Sequence, residues 1–350
     1  MIFFILALAA VCMFKFSFAR KKALPEGEEF FKDYMSIEKT TSIKGIFITI
    51  VFLSHIIPFL TLSDSILDSS YSRIITTIGQ SMVAPFMFYS GYGIMYSINK
   101  KGLDYIKGIP LKRASKVLLH FAIAVLLFAI LQTAIGNYFT PYQYALSLIG
   151  WESLGNSNWY IFIVLCLYLI TWLAFSISKA EKKLGLILTI VFSLVLIILM
   201  YIFKEMWWYD TILCYSLGML FFLVQPRIEK ILFINNWVYY LVLLILAGGC
   251  FVTIFILRGT VFTIIRHMLF ALLVVVFTMK FSIHNKILLF LGKHLFEIYI
   301  IQRLPMIFLS HIGVENKYIF FIIAFIATIA LATVFSYMLK KLDSVLYKNK

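Results

Sequence analysis

The stretch KGIFITIVFLSHI sets Lys44 and His55 at the two ends of an apolar run. Histidine is the side chain best suited to take and return a proton near neutral pH. Lys44 and His55 are eleven residues apart, which brings both side chains to nearly the same face of a helix, roughly 16 Å apart along its axis. If Lys44 marks the membrane edge, His55 lies near mid-membrane. An ionisable group at that depth is costly unless it faces the bundle interior or a wet cavity. The competing reading is a neutral histidine hydrogen-bonded between helices, to Ser54 or to a carbonyl.

A second segment, APFMFYSGYGIMYSINKKG, interrupts bulky residues with Ser90, Gly91 and Gly93, so that another backbone or a ligand can come close. It lacks the GxSxG frame of a nucleophile elbow. The following NKKGLDYIKGIPLKRASKVLL crowds Lys112, Arg113 and Lys116 together, either as topology-setting charge or as a phosphate-binding rim. Arg303, followed by Pro305, and Arg266 beside His267 could line an acceptor cavity; snorkelling or a structural pair is the alternative. Trp151, Trp159, Trp207 and Trp208 fall near one membrane face, where an interfacial belt competes with sugar stacking. Cys12, Cys166, Cys214 and Cys250 sit singly in apolar runs without a CxxC pair, which argues against a disulfide framework and a metal site.

Membrane helices must position these groups. The 350 residues are 62% hydrophobic and 13% charged, leaving too little polar surface for a soluble globule. Apolar windows at 2–19, 43–62, 74–98, 114–135, 158–177, 184–203, 209–224, 236–257, 262–279, 287–309 and 318–339 predict an all-α polytopic bundle of about eleven transmembrane helices. The connectors 20–44, 99–116, 178–183, 225–235, 280–286 and 340–350 hold 23 of the 31 Lys and Arg residues. Assigning that set to the cytoplasm puts the N-terminus outside and the C-terminus inside. The formal charge of +15 is therefore topogenic and does not mark a nucleic-acid surface.

The first window, with its positive charges behind it, reads as an uncleaved helix; small residues at Ser17 and Ala19 are the argument for cleavage. The connector 20–43, punctuated by Pro25 and Gly27, carries Phe30, Phe31 and Tyr34 and is expected to form an interfacial amphipathic helix. The opposite connector, 136–157, is either a small cap over the bundle or an ordinary loop. No repeat of 20 to 50 residues is visible, so the inverted-repeat plan of many transporters finds no support.

In order along the chain, these pieces resemble the membrane-bound acyltransferase 3 family. Lys44 and His55 match its basic residue, ten residues and a His; Phe86, Phe88, Ser90, Gly91 and Tyr92 match its F-x-F-x-S-G-Y/F helix. Lys112, Arg113 and Lys116 match its basic helix start. NWYIFIVLCLYL at 158–169, with Trp159, resembles the family's Trp-Tyr/Phe helix, and LGKHLFEIYIIQ at 291–302, with Tyr299, its LG-x-x-S segment. His294 stands where the family commonly has Ser, and Gln302 where it commonly has His.

The resemblance implies a ten-helix acyltransferase core at 43–340, preceded by an added helix and connector at 1–42 and followed by a basic tail at 341–350. It implies transfer of an acyl group, usually acetyl, from cytoplasmic acyl-CoA to a hydroxyl of a glycan or other cell-envelope molecule. In that reading acetyl-CoA is the donor substrate, with its phosphates on Lys44, Lys112, Arg113 and Lys116. His55 is then general base or transient acyl carrier, and Ser90, Tyr92, Trp159, Tyr299, Gln302 and Arg303 shape the substrate site. Either the core completes the transfer or a separate extracytoplasmic partner does. The reading from another class is a transporter or exporter of a lipid-linked or glycan substrate.

Overall fold

A computed structural model describes residues 1–18 and 29–347. Fifteen α-helices follow in chain order among these residues. They are α1 (Ile2–Met13), α2 (Ile37–His55), α3 (Ile66–Ile78), α4 (Ala84–Ile109) and α5 (Ser115–Ala134). Then come α6 (Pro141–Leu148), α7 (Trp159–Ile177), α8 (Lys182–Phe203), α9 (Ile212–Leu232) and α10 (Asn236–Phe255). The last are α11 (Thr260–Lys280), α12 (Lys286–Lys293), α13 (Leu295–Ile301), α14 (Arg303–His311) and α15 (Lys317–Leu346). Eight apolar helical segments of the described residues are long enough to cross a membrane, one of them the run Ile66–Ala134 that contains α3 to α5. The architecture is a polytopic membrane helical bundle. Its lone sheet among the described residues is an antiparallel ribbon of β1 (Phe16–Phe18) and β2 (Phe281–Ile283).

Two helix crossings are made backbone to backbone by reciprocal glycines. A Cβ on Gly91 of α4 would sit 1.9 Å from the Tyr215 carbonyl oxygen of α9, and one on Gly218 of α9 would sit 2.0 Å from that of Phe88 on α4. Gly45 and Gly292 join α2 to α12 in the same way, against the carbonyls of Leu288 and Thr41. Apolar lipid exerts no hydrophobic force between helices, so close approach and van der Waals contact hold such crossings.

Side-chain bonds sort the connectors into two ends. At one end Lys182 donates to Asn99 at 2.7 Å, Lys116 pairs with Asp343 at 2.5 Å and Tyr34 donates to Glu229 at 2.9 Å. The β1–β2 ribbon joins the connectors at Phe16–Phe18 and Phe281–Ile283. At the other end Gln80 donates to the Trp207 carbonyl at 2.7 Å, Lys204 to that of Trp151 at 2.9 Å, and Lys317 pairs with Asp68. The basic-rich connectors thus gather at a common end, as their charge sorting requires.

Several elements differ from the hydropathy windows. α1 has 12 residues, about 18 Å of helix against a hydrocarbon core of about 30 Å. Extended residues complete its path: the Met1 amino group meets Asp68 at one end, and Asn285 at the other donates to the Val11 and Phe14 carbonyls. α2 starts early, at the Ser36 cap, and stops at His55, three residues before Pro58. Its orphan Leu53 carbonyl accepts from the Tyr71 hydroxyl at 2.6 Å.

The interfacial helix expected over 20–43 is not formed by residues 29–36, which are turns, with Phe30 and Tyr34 buried in the main core. Pro25, Gly27 and Ala19 lie outside the described residues. The connector 99–116 is helical, kinked at Gly102 (φ 54°, ψ −136°), a backbone conformation that favours glycine. The basic tail is helical as far as Leu346. The window 287–309 is three helices, α12 to α14. Pro305 denies the Ile301 carbonyl its helical donor, and His294 leaves helical geometry (φ −101°, ψ 17°).

Candidate active site

Two cavities lead from the basic end into the bundle. The outer one, of about 840 Å³, is lined by Lys112, Arg113 and Lys116 as expected, and also by Lys101, His120 and Lys340. Lys112 and Arg113 sit on a π-helical turn, Pro110–Ala114, that joins α4 to α5. Such one-turn distortions recur at functional sites because they re-aim side chains. Asp343 accepts from His120 at 2.9 Å and pairs with Lys116, so one of the expected phosphate ligands is already neutralised while Lys112 and Arg113 face the cavity. Asp104 and Glu297 are the other acids on its wall.

The inner pocket, of about 290 Å³, is lined by Lys44, Ser90, Gly93 and Tyr160. Tyr105, Arg113 and Tyr168 border both spaces, so the two are contiguous. The Lys44 ammonium lies 5.6 Å from the Tyr89 ring centre. From Tyr160 an aromatic file continues inward: its ring centre is 5.3 Å from that of Tyr299, which is 6.1 Å from His55.

His55 sits at the C-terminal end of α2, where Nδ1 is 3.0 Å from Gln302 Nε2 and 3.3 Å from Ser157 Oγ. Gln302 is fully buried at the junction of α13 and α14 and donates also to the Tyr299 carbonyl at 3.2 Å. Thus the break in the tenth window places an amide against the imidazole. Around it, the Tyr299 hydroxyl, Gln302 Oε1, Arg303 Nε and Asn156 Nδ2 are buried and lack a protein partner. Buried polar atoms without partners are costly in a finished core and expected where a polar ligand completes the bonding. Arg303 follows Gln302 directly at the start of α14.

Ser157 reaches His55 from the connector 136–157, which the structure makes a cap. α6 opens with the reciprocal Thr140–Gln143 capping box. Gln132 holds the Leu154 carbonyl at 2.7 Å, and Asn158 holds those of Gly150 and Glu152 at 2.9 and 3.1 Å.

Of the expected site residues, the structure brings His55, Tyr299, Gln302 and Arg303 into one cluster, and Lys44, Ser90, Lys112, Arg113 and Lys116 onto the two connected cavities. Tyr92 is elsewhere: its hydroxyl donates to Gln225 at 2.7 Å, and Gln225 donates to Glu229, which also holds Tyr34. Trp159 packs edge-on to Tyr160, outside both cavity walls. Gly91 serves the α4–α9 crossing. Trp151 and Trp208 clasp the Lys204 ammonium at 4.0 and 4.6 Å from their ring centres. His267, beside Arg266, is buried 3.2 Å from Asp210, apart from the His55 cluster.

Sequence reasoning missed Lys101, His120, Lys340, Asn156 and Ser157. The lysines were visible only as members of charge clusters. Ser157 carries no signal beyond its place just before the Trp159 helix.

The polytopic bundle thus holds a cation-lined cavity and an inner Lys44 pocket, and from the Tyr160 wall of that pocket ring contacts run through Tyr299 to the half-buried His55. The family pattern Acyl_transf_3, an acyltransferase domain, matches residues 41–339, and the chain belongs to that family as a multi-pass membrane acyltransferase. No curated protein and no solved structure matches the chain.

Proposed function

We propose that the protein moves an acyl group, acetyl by preference, from acyl-CoA to a hydroxyl of a cell-envelope glycan or related molecule. The observation that carries this reading is the continuity of the basic cavity with the Lys44 pocket, whose Tyr160 wall is in ring contact with Tyr299 and, through it, with His55. Phosphates of the donor meet Lys112 and Arg113 at the wide mouth, where Lys101 and Lys340 add to the positive wall. The pantetheine arm follows the narrower pocket past Lys44. The roughly 16 Å from Lys44 to His55 suits such an arm in length.

At the His55 end the acceptor hydroxyl loses its proton to the imidazole as its oxygen attacks the thioester carbonyl. The C–S bond breaks, and the thiolate takes the proton back from the imidazolium, leaving an ester and free CoA. Arg303 Nε and Asn156 Nδ2, donors without protein partners, stand ready for the oxygen on which negative charge develops. The reading needs no metal. The basic end lies in the cytoplasm, with the N-terminus outside and the C-terminus inside, and the acceptor arrives from the side of the 136–157 cap, alone or on a separate partner.

Radiolabel transfer from acetyl-CoA into the envelope fraction tests this in membranes holding wild type or His55→Ala at matched protein levels. Label that depends on the protein and on His55 is expected. Equal labelling by the variant, or none by wild type across an acyl-CoA panel, overturns the proposal.

A further inference from the structure

We propose that the acceptor is an acidic sugar and that Arg303 holds its carboxylate beside the hydroxyl that is acylated. The use of this subsite in transfer rests on the acyltransferase reading, while the subsite itself follows from bonds that the protein leaves open.

Arg303 has no ion pair and no hydrogen bond among the described residues, and its Nε is buried. It opens α14 roughly 12 Å of helix inward from the exposed His311. A cation at such depth is costly until an anion meets it. Snorkelling, which carries a guanidinium to water, does not account for the buried Nε. The acids toward the cap end are engaged elsewhere: Asp68 pairs with Lys317, Asp210 with His267 and Glu152 with Lys204. Asp64, Glu205 and Glu315 are exposed.

The other open bonds say what kind of anion fits. Asn156 directly precedes Ser157, which meets His55. Asn156 Oδ1 accepts the Leu154 amide at 2.9 Å, which fixes the side-chain amide and leaves Nδ2 a donor without a partner on a residue only 2% exposed. The buried Tyr299 hydroxyl is unpartnered too, so donors and a positive charge outweigh the single orphan acceptor, Gln302 Oε1. A neutral sugar hydroxyl donates as well as accepts. A carboxylate only accepts, offers about four lone-pair sites and matches the two-pronged fork of a guanidinium. One of the arginine's N–H groups serves the oxygen on which charge develops, and the others remain for this second contact. The carboxylate belongs to the acceptor because Arg303 faces the cap. Ile307, one turn along the same helical face, brings its Cδ1 to 2.9 Å from where a Cβ on Gly155 would lie.

The test is equilibrium dialysis of tritiated oligogalacturonate and oligoglucuronate, and of their methyl esters, against the full-length protein in phosphatidylcholine nanodiscs. Wild type is expected to bind the acids about 10- to 100-fold tighter than the esters, the scale of a charge-assisted, two-pronged bond. Arg303→Leu should lose that preference, and Arg303→Lys should keep part of it, a rescue that a packing role would not give. Arg303→Gln serves in place of the leucine variant if that one does not fold. Equal binding of acid and ester by wild type overturns the proposal. So does an acid preference that survives in Arg303→Leu, since it then belongs to the basic mouth. An Arg303-dependent preference for succinyl-CoA over acetyl-CoA with neutral acceptors also overturns it, by placing the anion on the acyl group. An Arg303-dependent acid preference without acyl transfer by wild type would instead strike the acyltransferase reading and leave the anion subsite standing.

Discussion

The two ends of the proposed path are built on opposite principles. At the wide mouth, cations outnumber acids, several side chains reach solvent, and Asp343 already pairs with Lys116 and His120. At the His55 end a neutral amide and hydroxyl contact the imidazole, the surroundings are largely buried, and polar atoms of Tyr299, Gln302, Arg303 and Asn156 lack partners. Charge at a wet mouth attracts a ligand over some distance and tolerates small displacements. Directed bonds in a dry interior work only within a few tenths of an ångström. The mouth should therefore govern donor affinity, and the interior should govern turnover.

The largest expected effect is at the interior end. His55→Ala should lower kcat by about 10²- to 10⁴-fold, the range of general-base catalysis, with acyl-CoA binding to the purified protein unchanged. A matching loss of donor binding would erase the distinction between the ends. Next, Arg113→Ala removes a charge bordering both cavities and a donor worth about 1.5–3 kcal/mol to an anion, so KM for acyl-CoA should rise roughly 10- to 100-fold with little change in kcat. Added salt should weaken wild type more than the variant, and a kcat defect without a KM change would place Arg113 at the wrong end.

Asp343→Asn should act in the opposite sense. It frees Lys116 from a pair with one member 41% exposed, so the gain in donor affinity is about two- to fivefold, the scale of a partly solvated ion pair. Weaker donor binding would mean that Asp343 orders the mouth instead of competing for it. Glu181→Ala, which lines neither cavity, is the control. The Glu181 carboxylate caps α8 by accepting from the Lys183 and Leu184 amides, which hold its carboxyl below the usual range. Such a group stabilises the fold above its unfolded pKa, and the gain is lost as pH falls through the lowered folded value. The variant should show a small Tm drop at neutral pH that disappears in acid, with transfer kinetics unchanged.

Much of this was legible in the sequence because membrane physics is local. The long apolar windows marked the crossings, and the clustering of lysine and arginine sorted their connectors to one end. What could not be read depends on partners distant in the chain. Tyr92 belongs to the same short motif as Ser90, yet two helical steps turn it about 200° away, toward Gln225 and Glu229. Arg303 and Pro305 signalled an interruption of the 287–309 window beside Gln302, whereas the second break, at His294, shows only in the structure. Ser157 meets His55 across about a hundred residues, through a cap held by Gln132 and Asn158, and no spacing rule announces such a contact.

The glycines at 45, 91, 218 and 292 leave no room for even one methyl group between their helices. The helix that carries Lys44 and His55 is clamped by one such pair, and the helix that carries Ser90 by the other. The Lys44–His55 interval is set by α2 itself, and the glycine crossings fix where that helix lies against α12 and where the Ser90 helix lies against α9, which swapping residues along the pocket cannot retune. Any relative that places an alanine at one of these four positions must have shifted one helix bodily against its partner, and with it the wall that helix gives to the bundle interior.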